Sequence, residues 1–221
     1  MSIFRRQQKN LHPSLIEKWT RISPYGKPLK REMLNRDGEP VQVRIVPFKT
    51  PFSKDYDHIF SEDQRLHPDQ LIRHYQEQNI HFKGMINLCY SNRFYQPYEL
   101  DIKDYFFQYR RMNFKGFTEP TQDFLNRINL YMQKFENLII EDNEYVGVHC
   151  TQGYNRTGLV IVNYLCQVKN VDLDTALNEF NLARSPEKLD KEMYLKYLHD
   201  TFQNDLQNNK NNSFEDTRVK Q

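Results

Sequence analysis

Cys150 and Arg156 bracket five residues in the run HCTQGYNRTG, residues 149–158. An apolar stretch, YVGVH (145–149), precedes the cysteine, and Leu159, Val160, Val162 and Leu165 follow the arginine at helical spacing. A strand that passes into a helix through TQGYN must curl that pentapeptide into a tight loop at the helix N-terminus. Such a loop turns its backbone N–H groups inward, and the helix dipole adds positive potential. The result is a cradle for a tetrahedral oxyanion, above all a phosphate. Arg156 can close it with a planar fork on two phosphate oxygens. Gly153 permits a left-handed turn in the loop, and Gly158 permits close packing of the helix on the sheet.

Cys150 sits at the bottom of this cradle, where the donors that hold a phosphate also stabilise a thiolate. Thiols in such surroundings ionise at about 3.5–7.5 rather than about 8.5. A thiolate below a bound phosphate is a nucleophile aligned on phosphorus, and its product is a cysteinyl-phosphate that water then hydrolyses. Thr157 is placed to donate its hydroxyl to the departing sulfur. His149 is expected to order the loop through hydrogen bonds. Thr151, Gln152, Gly153, Tyr154 and Asn155 supply the phosphate-binding wall. Cys89 and Cys166 lie on apolar elements and read as core.

The elements that must position this loop alternate along the chain. Strands are predicted at 41–48, 84–90, 104–114 and 145–149, and helices at 67–78, 121–140, 156–169, 173–184 and 190–203. Pro68 suits the first turn of its helix, and Thr121 caps the next, with Asp123 at its positive end. Alternation of this kind predicts an α/β fold with a central, mostly parallel sheet flanked by helices on both faces. The division expected is a flexible arm at 1–14, a catalytic domain at 15–203 and a disordered polar tail at 204–221, rich in Asn and Gln.

Bulk properties bound the reading further. The chain of 221 residues suffices for one domain with a sizeable core. Its first residues, MSIFRRQQKN, lack the apolar core and cleavage site of a secretory leader. Three cysteines make no disulfide framework and fit no zinc-ligand spacing, so no metal or cofactor is expected and a reducing compartment is. Up to residue 36, nine basic side chains face only Glu17 and Glu32. Such an arm can meet a polyanion such as RNA, or can be a solvated face.

At the loop, the sequence resembles the cysteine-phosphatase superfamily, with its His-Cys-x5-Arg-Ser/Thr signature. HCTQGYNRTG is most similar to the RNA 5′-triphosphatases, the domains found in metazoan-type mRNA capping enzymes and their stand-alone relatives. Gln152 and Tyr154 depart from the usual residues. PFKTPFSKDYD (47–57), RLHPDQL (65–71), INLCYSNRFY (86–95), NFKG (113–116) and NLARSPEKLDKEMYLKYL (181–198) match in order. The resemblance implies a cysteine-phosphatase fold over roughly 15–202, with Cys150 as nucleophile and Arg156 as phosphate-binding arginine. It implies that Arg93 and Lys115 lie near the triphosphate, and that Arg184 lies near the site. Residues 30–42 look like an insertion, and the segment after Arg184 is one residue longer than usual.

Phosphate esters need an acid to protonate the leaving alkoxide. The loop that would carry one, FKGFTEPTQ, offers Glu119 and, at the start of the helix, Asp123. Neither stands where a general acid is expected, whereas a phosphoanhydride needs none. The alternative is that Glu119 or Asp123 serves, or that Asp104 reaches in. The favoured expectation is metal-independent removal of the γ-phosphate from RNA 5′-triphosphate ends, the first step of capping. A dual-specificity protein phosphatase is the rival, and an inactive binding module is disfavoured by the intact Cys and Arg. Partners implied are triphosphate-ended RNA, a guanylyltransferase and RNA polymerase II, for a monomer in nucleus or cytosol. NRDGEP (35–40) lacks the lysine of a guanylyltransferase nucleophile.

Overall fold

A computed structural model describes residues 10–103 and 107–202. Asp104, most of the arm at 1–14 and the tail at 204–221 lie outside the described residues. Four strands form a parallel sheet: β3 (Ile45–Lys49), β4 (His81–Asn87), β5 (Gln108–Arg111) and β6 (Glu144–Cys150), in the order β3-β6-β4-β5. The two central strands are buried almost throughout, as strands covered on both faces must be. Their carboxyl ends bring Lys49, Cys150, Asn87 and Arg111 to one edge. That edge is where open α/β sheets bind ligands.

Four helices cover one face: α3 (Gln122–Glu136), α4 (Asn155–Gln167), α5 (Leu173–Arg184) and α6 (Glu192–Phe202). α4 is buried at every position from Thr157 to Cys166 because α3, α5, α6 and β6 all pack on it. A helix apolar all round is a core helix rather than a surface one. Thr121 caps α3, its hydroxyl accepting the Phe124 N–H at 3.2 Å. Gly158 lets neighbours approach α4 closely, yet its neighbour is not the sheet. A Cβ there would stand 2.6 Å from the Phe180 ring of α5.

The opposite face is covered by α1 (Pro13–Thr20), α2 (Pro68–Gln76) and an aromatic cluster of Trp19, Phe52, Tyr56 and Phe60. Each such ring contributes about 1.5–3 kcal/mol by leaving water. Lys49 fastens α1 to the sheet: its ammonium donates to the carbonyls of Trp19 (2.9 Å) and Ile22 (2.7 Å) and lies 3.6 Å from the Trp19 ring centre. α1 begins two residues before the domain boundary expected at 15, and Leu11 ahead of it is already buried.

The stretch expected as one strand at 41–48 is divided. Its start pairs in an antiparallel hairpin, β1 (Glu32–Leu34) with β2 (Pro40–Gln42), and its end is β3. This hairpin is the apparent insertion at 30–42. It docks against the carboxyl end of α4, with the Arg36 N–H on the Asn170 carbonyl and Asn170 on Asp37. That is the end of α4 remote from Cys150, so the insertion does not rim the loop. Among the described residues no helix is long and apolar enough to cross a membrane.

Candidate active site

Cys150 ends β6 and Asn155 begins α4, so the intervening loop lies where the sequence put it. Gly153 has φ +75°, and a Cβ there would stand 2.2 Å from the Phe48 carbonyl oxygen; no other residue fits. α3 and α5 carry side-chain caps from Thr121 and Asp172, but the residue before α4, Tyr154, makes no capping bond. The first-turn N–H groups of α4 therefore remain open to an anion.

The Cys150 sulfur accepts the Gly153 N–H at 3.3 Å and is only 2% exposed. Burial pushes its thiol up, but the Arg156 charge, the Thr157 hydroxyl and the N–H groups of Thr157 and Gly153 outweigh burial and hold it below the ordinary value. The Thr157 hydroxyl is buried and has no well-formed hydrogen bond elsewhere, so it is free to donate to a thiolate. Cys89 feels the same Arg156 charge and lies 3.9 Å from the Thr151 hydroxyl, yet for it and for Cys166 burial prevails and pushes each up to about 12. One of three buried thiols is thus singled out by its neighbours rather than by its exposure.

Arg156 has five donors. Nη1 donates to the carbonyls of Leu88 (3.2 Å) and Phe114 (2.7 Å), and Nη2 to the Thr151 hydroxyl (2.9 Å). Nε–H and the second Nη2–H have no partner among the described residues. Two donors are thus left that can meet two phosphate oxygens.

His149 is wholly buried, and its Nε2 lies 2.7 Å from the Tyr95 hydroxyl. Tyr109 and Asn87 continue that hydrogen-bond chain. Burial lowers the imidazole pKa to about 3; a backbone bond at Cys150 opposes this and Arg156 adds to it. A ring neutral at physiological pH braces the strand end through Tyr95.

Arg184 does not face the opening. It is fully buried behind the loop, and all five donors are committed: Nε to the Gly153 carbonyl, Nη1 to Tyr25 and Glu187, Nη2 to Ser23 and Gln152. By holding loop carbonyls outward it leaves loop N–H groups inward. It braces the cradle and has no donor left for substrate. Arg184→Met should strand Glu187 and these carbonyls and destabilise the protein by about 3–5 kcal/mol. At this size that is a fall in Tm of roughly 6–20 °C, readable by calorimetry. A change within a degree would show the bracing to be idle.

The remaining expected residues divide. Asn155 commits its side chain to Asp190 and to the Asp190 and Lys191 N–H groups, so only its backbone faces the cradle. Arg93 is exposed, its guanidinium 5.5 Å from the Phe94 ring, and Lys115 is exposed beside Phe114; among the described residues no hydrogen bond joins either to the loop. Asp123 is spent on an exposed pair with Arg127, and exposed Glu119 acts on Lys196 of α6. Neither figures among the groups acting on Cys150.

Tyr95, Asp190 and Phe117 escaped the sequence reading. Tyr95 meets His149 across 54 positions, which no local pattern announces. Phe117 is 82% exposed at φ +63°, a backbone state that costs a bulky residue about 1–3 kcal/mol. The glycine suited to that state, Gly116, stands one place early.

Comparison with known proteins agrees with this geometry. Residues 66–204 match the family described as dual specificity phosphatase, catalytic domain. The mRNA-capping enzyme of Danio rerio is 31% identical over 179 residues, 80% of this chain and 29% of that protein. The RNA/RNP complex-1-interacting phosphatase homolog of Caenorhabditis elegans is 30% identical over 169 residues, 72% of this chain and 68% of that protein. The chain spans only 23–29% of the length of the mRNA-capping enzymes it matches. A solved structure named as a protein tyrosine phosphatase of Leishmania major covers 77% of this chain and 95% of its own, with TM-score 0.53 and 13% identity, a likeness of fold. The sulfur-bottomed cradle and the family match lead to one assignment: the chain belongs to the dual specificity phosphatase catalytic-domain family.

Proposed function

We propose that this protein removes the γ-phosphate from RNA 5′-triphosphate ends. The Cys150 thiolate attacks phosphorus in line, the P–O bond to the β-phosphate breaks, and a cysteinyl-phosphate remains. Water then cleaves the S–P bond, with Thr157 donating to the departing sulfur. Arg156 and the loop N–H groups hold the equatorial oxygens, where charge builds. No step needs a metal.

The observation that carries this reading is the setting of Cys150. A lowered thiol lies beneath a cradle, and among the described residues the two expected acids, Glu119 and Asp123, are exposed, Asp123 paired with Arg127. A phosphoanhydride leaves as a stable anion and needs no proton, whereas a serine, threonine or tyrosine ester does. The names borne by the relatives, mRNA-capping enzyme and RNA/RNP complex-1-interacting phosphatase, point to the same substrate class. The reading extends to action in the nucleus, ahead of a guanylyltransferase and beside RNA polymerase II.

The second reading, a phosphoprotein phosphatase, is favoured by the family match itself. Phosphate release from triphosphate-ended RNA, a phosphotyrosine peptide and p-nitrophenyl phosphate separates the two. RNA is expected to be preferred, and EDTA to leave its rate unchanged. Preference for the peptide would overturn the substrate, and loss of activity in EDTA would overturn the thiolate mechanism.

A further inference from the structure

A groove of about 440 Å³ opens from the lip of the phosphate loop, between α1 and the connection into α6. Gln152 and Tyr154 form its inner end, Lys18 of α1 and Arg21 just after it one wall, and Phe117 and Lys191 the other. Three cations line the groove; Arg21 also pairs with Glu17 at 2.6 Å, and the one lining carboxylate, Asp190, is already held by Asn155. We propose that this groove is the track for the first nucleotides of a single-stranded RNA, with Phe117 as the platform on which a base stacks. This rests on the reading that RNA 5′ ends are the substrate.

Phe117 is the feature that decides it. An aromatic ring 82% exposed gains nothing from burial, and its left-handed backbone works against folding. Strain of this sort persists where function uses it. The Lys115–Thr118 turn presents the ring, with the Thr118 hydroxyl donating to the Lys115 carbonyl at 2.8 Å. The Lys191 ammonium lies 3.4 Å from the ring centre and fixes its orientation. An exposed aromatic among cations, continuous with a phosphate cradle, matches what a single strand offers: π-faces and a phosphate at each step. Stacking of that kind tolerates any base. Lys18 and Arg21 then stand where phosphates beyond the 5′ end would pass, with electrostatics that fade as salt rises.

The test uses wild type, Phe117→Gly, Phe117→Trp and the double variant Lys18→Ala/Arg21→Ala. Each is assayed on a short triphosphate-ended RNA, a phosphotyrosine peptide and p-nitrophenyl phosphate over a range of salt. Phe117→Gly should lower the ratio of kcat/KM for RNA to that for p-nitrophenyl phosphate about tenfold, chiefly through KM, and Phe117→Trp should restore it. Its Tm should not fall, because glycine suits the left-handed backbone. The double variant should flatten the dependence of log KM on log salt by about 1.4, at about 0.7 per contact with a single strand. A wild type active on RNA with the ratio unchanged in Phe117→Gly overturns the groove alone. A ratio that moves for a phosphopeptide instead of RNA also overturns it. A wild type inactive on RNA, with no RNA bound by Cys150→Ser, overturns the substrate reading and the groove together.

Discussion

Cys150→Ser should bind triphosphate-ended RNA as well as wild type does and turn over almost none of it, with kcat lowered about 10⁴-fold or more. A serine hydroxyl needs a base to become a nucleophile. None is at hand among the described residues: His149 is neutral but tied to Tyr95, and Glu119 and Asp123 are exposed. The donors that stabilise a thiolate cannot ionise an alcohol. Binding survives because Arg156 and the loop N–H groups are untouched, and because removing a negative charge from beneath a phosphate relieves repulsion. Single-turnover phosphate release and a fluorescence titration with labelled RNA read the two effects separately. Turnover near the wild-type rate would refute the nucleophile assignment.

Arg156→Met should lower kcat/KM about 10³-fold or more. The loss of one preorganised donor to developing charge costs about 10²–10³-fold, and this change removes a fork of two. It also removes the largest influence holding the Cys150 thiol down, so burial takes over. The sign is definite. In the wild type the thiol lies below its ordinary value, so the thiolate survives as pH falls past about 8.5, and activity declines only below that. In the variant the thiol moves up, so the thiolate is lost at a higher pH than in the wild type. Alkylation by iodoacetamide across pH, followed by mass spectrometry of the modified peptide, reads the midpoint directly. Cys89 and Cys166, each pushed up to about 12, serve as unreactive controls in the same sample. A midpoint that stays put would show that the loop amides hold the thiolate without the guanidinium.

How much of this was legible follows from which interactions are local. The run from strand through loop to helix was readable because apolar alternation, Gly153 and the helical spacing after Arg156 all act within a dozen residues. Thr121 as the cap of α3 was readable for the same reason. The helix at 13–20 was missed because its short amphipathic run is held by a partner far along the chain, Lys49, whose ammonium takes the helix-end carbonyls. The strand expected at 41–48 was drawn unbroken because its residue types are uniform, while the break at Val43–Arg44 comes from joining two sheets.

The amino-acid sequence by itself determined the strand, loop and helix that put Cys150 and Arg156 together at one sheet edge, since each element needs only neighbours a few residues away. Tertiary structure decided what surrounds them. It turned Arg184 from a candidate substrate ligand into a buried brace, paired His149 with Tyr95, sent Glu119 and Asp123 to the surface and set Phe117 beside Lys191. A guanidinium has the same five donors in any sequence. Whether they meet a phosphate or the backs of loop carbonyls depends on which side of the loop the chain returns to, and only long-range packing settles that.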